Sequence, residues 1–128
     1  MRQYALASII VVLGAGAVLL GALGAHGLHD VLDAHALDVW HAAVRFQFWH
    51  VLALVVAAML PGRGRARRVA MWAFVTGIVL FCGSLYALAL GAPVVIGYVT
   101  PFGGVALVIG WIALGVAVGQ VCARRPDI

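Results

Sequence analysis

Four apolar runs, at residues 4–23, 40–60, 69–90 and 102–121, constrain this chain more than any other feature of its sequence. At 1.5 Å of rise per residue each makes a helix roughly 30 Å long, the thickness of a bilayer's hydrocarbon core. A helix also satisfies its own backbone polar groups, which hydrocarbon cannot do for it. The expected fold is therefore an all-α integral membrane four-helix bundle, a single four-span domain over residues 1–128. Composition agrees, because 66% of the chain is hydrophobic and only 9% is charged, where soluble domains carry about a quarter charged residues.

The first run has the outline of a secretory signal, with "MRQY" before it and the small residues of "ALGAHG" after it. It is read here as a retained helix. Arginine placement sets the expected orientation. Arg2 precedes the first span, Arg63, Arg65, Arg67 and Arg68 fill "PGRGRARR" between the second and third, and Arg124 and Arg125 follow the fourth. These lie on one side, which the positive-inside rule makes cytoplasmic, so both termini are expected inside a bacterial inner membrane. The opposite side receives "HGLHDVLDAHALD" (26–38) and the uncharged "GAPVVIGYVT" (91–100). Arginines scattered in short gaps between spans do not make a nucleic-acid surface, and none is expected to bind. Cys82 and Cys122 lie in separate spans with no CxxC spacing and are read as packing residues.

Pro61 and Gly62 should end the second helix, and Thr100 before Pro101 has the form of an N-cap followed by proline at the first helical position. Residues 29–39 have helical spacing without the apolar content to cross. They are expected to form a short amphipathic outer segment or to extend the second helix outward. Small residues line three spans: Gly14, Ala17, Gly21 and Gly24; Ala73, Gly77, Ser84, Ala87 and Gly91; Ala106, Gly110, Ala113 and Ala117. Lipid tails are as apolar as leucine, so such stripes, which let backbones approach, are read as bundle seams. Gly115 and Gly119 form a further GxxxG, a candidate face for a homo-oligomer.

The polar residues within the spans carry most of the information. Measured from Trp40, Arg45 should sit about 7 Å deep and His50 about 15 Å deep, near the midplane. Asp38, His41 and Arg45 share a helical face at i,i+3 and i,i+4 spacing, which predicts a local ion-pair ladder near the headgroups. Gln47 and His50 share a different face. His50 cannot reach water by snorkelling, so its face should meet the bundle interior. Ser84 and Tyr86 on the third span and Thr100 at the start of the fourth fall in the same outer half. Together with His26 and the indole of Trp111 they suggest an outward-facing polar pocket floored by apolar residues such as Phe74 and Leu80. Two readings stand side by side: a site for a small ligand, lipid group, proton or ion, and side chains that only hydrogen-bond one another within the bundle.

His26, His29, Asp30 and Asp33 are spaced to share a face and combine imidazole with carboxylate, a zinc or copper ligand set, although no CxxC or HExxH accompanies them. A two-histidine haem site lacks facing histidines, and no cofactor is expected. An enzyme would need Ser84 to use His50 as a base across two helices, with no carboxylate at that depth to orient it, so a non-enzymatic protein is expected. Transport of a proton or small solute through His50 is the alternative.

The blocks "GALGAHGL" (21–28), "FQFWH" (46–50), "LFCGSLYALAL" (80–90), "TPFGG" (100–104) and "GW" (110–111) resemble those of the bacterial YgdD-like small inner-membrane proteins, catalogued as domain of unknown function 423. The resemblance covers nearly the whole chain. It implies a four-span membrane protein with no established biochemical activity, and it carries over onto His26, Gln47, His50, Ser84, Tyr86, Thr100, Pro101 and Trp111. Arginine at 45 is not part of that pattern, and Cys82 stands where it often has serine. Membrane lipid, a small ligand and a second copy of the chain are the partners these readings allow.

Overall fold

The computed structural model describes residues 2–125 and 127. Helix α1 covers Gln3–Ala25 and α2 covers Ala34–Met59. The third span is composite: α3 (Arg65–Gly77) runs without a break through a π-helical turn at Ile78–Cys82 into α4 (Gly83–Ala89). A 3-10 turn at Val94–Tyr98 leads into α5 (Thr100–Ala123). The described residues contain four helical stretches long and apolar enough to cross a membrane.

The segment before α2 resolves into two parts. Residues 26–32 form turns, and the helix begins at Ala34, so that 34–39 lengthens the second span at the end away from the arginine-rich turn. Asp33 starts it, its Oδ1 accepting the Ala36 amide at 2.7 Å as an N-cap. At the other end of α2 the chain turns at Pro61–Gly62, where Gly62 has φ +87°, a conformation that side-chain-bearing L residues rarely adopt. The composite third span ends in a Schellman motif. Ala92 N–H donates to Ala87 O (2.9 Å) and Gly91 N–H to Leu88 O (3.1 Å), with Gly91 left-handed at φ +93°. Thr100 does not cap α5 as its spacing suggested. It is the first helical residue, ahead of Pro101, and its hydroxyl is used by another helix.

Pairings across the spans show that neighbours run antiparallel. Gly14 lies against Val51, Gly21 against Val44 and Gly24 against Trp40; on the other side Gly77 meets Leu107, Gly103 meets Phe81 and Gly110 meets Phe74. Helix α2 is central, touching α1, α3, the π turn, α4 and α5, whereas α1 packs principally on α2. The buried apolar core consists of Ala43, Val51, Ala53, Leu54 and Ala57 of α2, Ala70, Met71 and Phe74 of α3, Ile78 and Cys82 of the π turn, and Leu107 and Leu114 of α5. Large apolar side chains such as Val12, Leu19, Val79, Val105 and Ile112 stay exposed. In water that would be a liability; in a bilayer it is the lipid-facing surface.

The glycines decide how near the helices come. A Cβ on Gly110 would fall 2.7 Å from the Phe74 ring, and one on Gly103 would collide with the backbone of Phe81. Gly115 and Gly119 meet nothing within 4 Å and face outward, so they take no part in the packing of this chain.

Candidate functional site

Three hydrogen-bonded nodes lie between the middle of the bundle and the end away from the arginine-rich turn. In the first, Gln47 on α2 donates from Nε2 to Leu13 O of α1 (2.7 Å), and its Oε1 accepts the Tyr86 hydroxyl of α4 (2.8 Å). One side-chain amide thereby joins three helices. The neighbouring Trp40 reinforces the node, its indole donating to Leu20 O (2.8 Å) and its ring meeting that of Tyr86 edge-on at 4.7 Å.

The second node is His50. Its Nδ1 lies 2.6 Å from Phe46 O, and its Nε2 lies 3.1 Å from the Trp111 indole nitrogen of α5. The carbonyl can only accept and the indole can only donate, which assigns the neutral tautomer with the proton on Nδ1. The ring sits among aromatics: Phe46 is stacked on it at 5.8 Å, Phe74 lies at 6.0 Å and Trp111 approaches edge-on at 6.0 Å.

The third node is at the π turn. Ser84 Oγ donates to Phe81 O (2.8 Å) and lies 2.6 Å from Thr100 Oγ1. Ser84 has one hydroxyl hydrogen, already given to Phe81, so Thr100 is the donor between them. The helix is widened here, and the serine takes up a carbonyl in that widened stretch while reaching across to α5.

The structure thus pairs Gln47 with Tyr86, His50 with Trp111 and Ser84 with Thr100, each pair completed by a backbone carbonyl. Gln47, His50 and Ser84 are buried, and no buried side-chain nitrogen or oxygen among the described residues lacks a partner. His26 does not join them; it is exposed in the turn after α1. Toward the arginine end the packed interior is apolar, formed by Leu54, Ala57, Ala70, Met71, Phe74 and Leu114. Phe74 lies beside His50, the two rings tilted with centroids 6.0 Å apart.

Two other expectations are corrected. Asp38, His41 and Arg45 do not form an ion-pair ladder: the one salt bridge among the described residues is His29–Asp30, 3.4 Å apart and exposed. His41 instead lies against α1, its Cε1 3.2 Å from where a Cβ on Gly24 would sit, while Asp38 and Arg45 remain exposed. Nor do His26, His29, Asp30 and Asp33 converge on a metal; no group of three or more such ligands forms among the described residues. Residues 26–32 are turns rather than a helix, so the assumed common face does not exist, and Asp33 is engaged as the α2 cap.

Sequence reasoning missed Arg67. Its Nε donates to Ala57 O (3.0 Å) and its Nη2 to Ala58 O (2.7 Å), occupying carbonyls at the end of α2 that have no helical partner. The only trace in the sequence is an arginine in the first turn after a tight "PGRG" reversal. The π turn left no trace at all, since "IVLFC" reads as ordinary apolar helix.

A helical bundle of four spans, with apolar flanks and a closed polar cluster in one half, defines a small multi-pass membrane protein. A family model described as "Protein of unknown function (DUF423)" matches residues 20–104, and the chain belongs to that family. It is 45% identical over 105 residues to UPF0382 membrane protein YwdK of Bacillus subtilis, covering 79% of this chain and 85% of the relative. UPF0382 membrane protein SAB0533 of Staphylococcus aureus is 43% identical over 102 residues, 79% and 84% of the two chains. A UPF0382 membrane protein of Haemophilus influenzae is 40% identical over 108 residues, 84% and 87% of the two chains. No solved structure matches the chain.

Proposed function

We propose that this chain is a non-enzymatic component of the bacterial inner membrane, with both termini cytoplasmic, and that it acts through the surfaces it presents to lipid and to other membrane components. In this reading the outer-half cluster of Gln47, His50, Ser84, Tyr86, Thr100 and Trp111 sets the register of the helices. The observation that carries it is that every buried side-chain nitrogen and oxygen among the described residues has a hydrogen-bond partner. A nucleophile or general base needs a free valence aimed at substrate, and His50, with one nitrogen donating and the other accepting, offers none without breaking a helix contact. A small ligand would have to displace Trp111, whose ring is half exposed at the lipid edge, or Tyr86.

Orientation rests on the arginine-rich end, including Arg2, Arg63, Arg65, Arg68 and Arg124. The test is flux in proteoliposomes holding the full chain. No proton or small-solute leak above that of empty vesicles is expected, for the parent or for His50→Ala. A pH-driven leak in the parent that His50→Ala abolishes would overturn the reading in favour of a conducting path.

A further inference from the structure

A surface groove lies away from the polar cluster, between α3 and α5 at the arginine end. It has a volume of about 540 Å³ and is lined by Arg65, Arg68, Val69, Trp72, Ala73 and Thr76 of α3 with Ala106 and Ile109 of α5. Arg65 opens α3 and Thr76 comes eleven residues later, so the groove descends roughly 16 Å, about one leaflet of hydrocarbon. Its chemistry changes with depth. The mouth holds two exposed guanidiniums, and no salt bridge among the described residues engages either of them. Half-exposed Trp72 follows one turn below Arg68, and beyond it the walls are Ala73, Ala106 and Ile109. At the foot, no side-chain hydrogen bond among the described residues takes up the exposed Thr76 hydroxyl.

Arg67 supplies the contrast. It turns away to hold the carbonyls that end α2, so the arginines of this turn divide into one that ties the bundle and two left facing the groove. A basic mouth at headgroup level above an apolar trough one leaflet long complements one class of molecule. We propose that this groove binds an anionic phospholipid of the arginine-side leaflet, with its phosphate between Arg65 and Arg68 and an acyl chain laid past Trp72 toward Ala106. A second copy of the chain fits the charge poorly, because three of its four acidic residues, Asp30, Asp33 and Asp38, belong to the opposite end of the bundle, leaving Asp127 as the one acidic side chain at the arginine end against seven arginines. The inference rests on the membrane placement proposed above. It is independent of whether the polar cluster conducts, so a leak would leave it standing and a failure here would leave the closed cluster standing.

The full chain, purified in mild detergent, is incubated with equal amounts of phosphatidylglycerol and phosphatidylcholine of matched chains and read by native mass spectrometry. Phosphatidylglycerol should be retained in preference, and the double variant Arg65→Gln/Arg68→Gln should weaken that retention by about tenfold or more while melting like the parent. Ala106→Trp, which fills the trough and keeps both charges, should also lose the lipid. Arg67→Gln should lower the melting temperature yet keep it. Equal retention of the two lipids, an unchanged double variant, displacement by inorganic phosphate, or a dimer that Ala106→Trp dissociates would each overturn the proposal.

Discussion

His50 has both ring nitrogens engaged, Nδ1 with Phe46 O and Nε2 with the Trp111 indole, and the proposed structural role of this histidine rests on that geometry. Removing the imidazole leaves the Trp111 indole without an acceptor beside a void lined by Phe46 and Phe74, while the Phe46 carbonyl keeps the helical bond from the residue-50 amide. His50→Ala should therefore cost about 1–3 kcal/mol, the penalty of stranding a buried polar group, measured as unfolding in mixed micelles. Tyr86→Phe removes one hydroxyl from Gln47 and keeps the ring against Trp40. Its cost should be near 0.6 kcal/mol, typical of hydrogen bonds between membrane helices. If Tyr86→Phe proved as damaging as His50→Ala, the Gln47 node would be holding far more than one helix contact. That Gln47 and His50 point inward was legible from depth, since a midplane imidazole has no water to reach. Tyr86 and Trp111 were legible as companions at that depth, whereas the other two partners were not, because Leu13 O and Phe46 O are backbone groups that no side-chain pattern announces.

Among the elements, the composite third span shows where close approach is obligatory. Gly103 lets α5 rest on the backbone of Phe81, inside the π turn, and Gly110 receives the Phe74 ring. Gly103→Ala forces a methyl group into main chain that cannot rotate away, and it should cost more than 2 kcal/mol, as overpacking of a tight core does. Gly115→Ala meets nothing and should stay within about 0.5 kcal/mol of the parent. Thermal melting of the two variants in the same detergent checks the pair, and equal losses would mean that α5 is rotated from the orientation described. The small-residue stripes were visible in the sequence, but they do not distinguish a seam from an open face. Gly103 and Gly115 look alike until the position of Phe81 is known. The π turn was illegible for a related reason: whether a helix admits one extra residue depends on what packs against it, here Gly103 and the Ser84–Thr100 pair.

Over the whole molecule, the two cysteines provide a test of placement. Cys122 is exposed near the end of α5, at the arginine end, and Cys82 is buried in the core. If both termini are cytoplasmic, as proposed, a membrane-impermeant maleimide should leave intact spheroplasts unlabelled and should modify one cysteine after permeabilisation. That modification should disappear in Cys122→Ser. Labelling of Cys122 from outside would reverse the orientation.

The sequence alone determined that this chain crosses a membrane four times, because the length of an apolar run and the need to satisfy backbone groups in hydrocarbon are properties of each segment by itself. It also determined which helical face His50 must bury. Tertiary structure alone decided that the polar cluster is closed, that Arg67 ties α2 and α3 while Arg65 and Arg68 face a groove, and that the Asp38–His41–Arg45 ladder does not form. Each of those outcomes depends on which atoms from distant helices arrive within about 3 Å of one another, the reach of a hydrogen bond. Helical spacing fixes a side chain's bearing around its own axis and says nothing about what stands opposite.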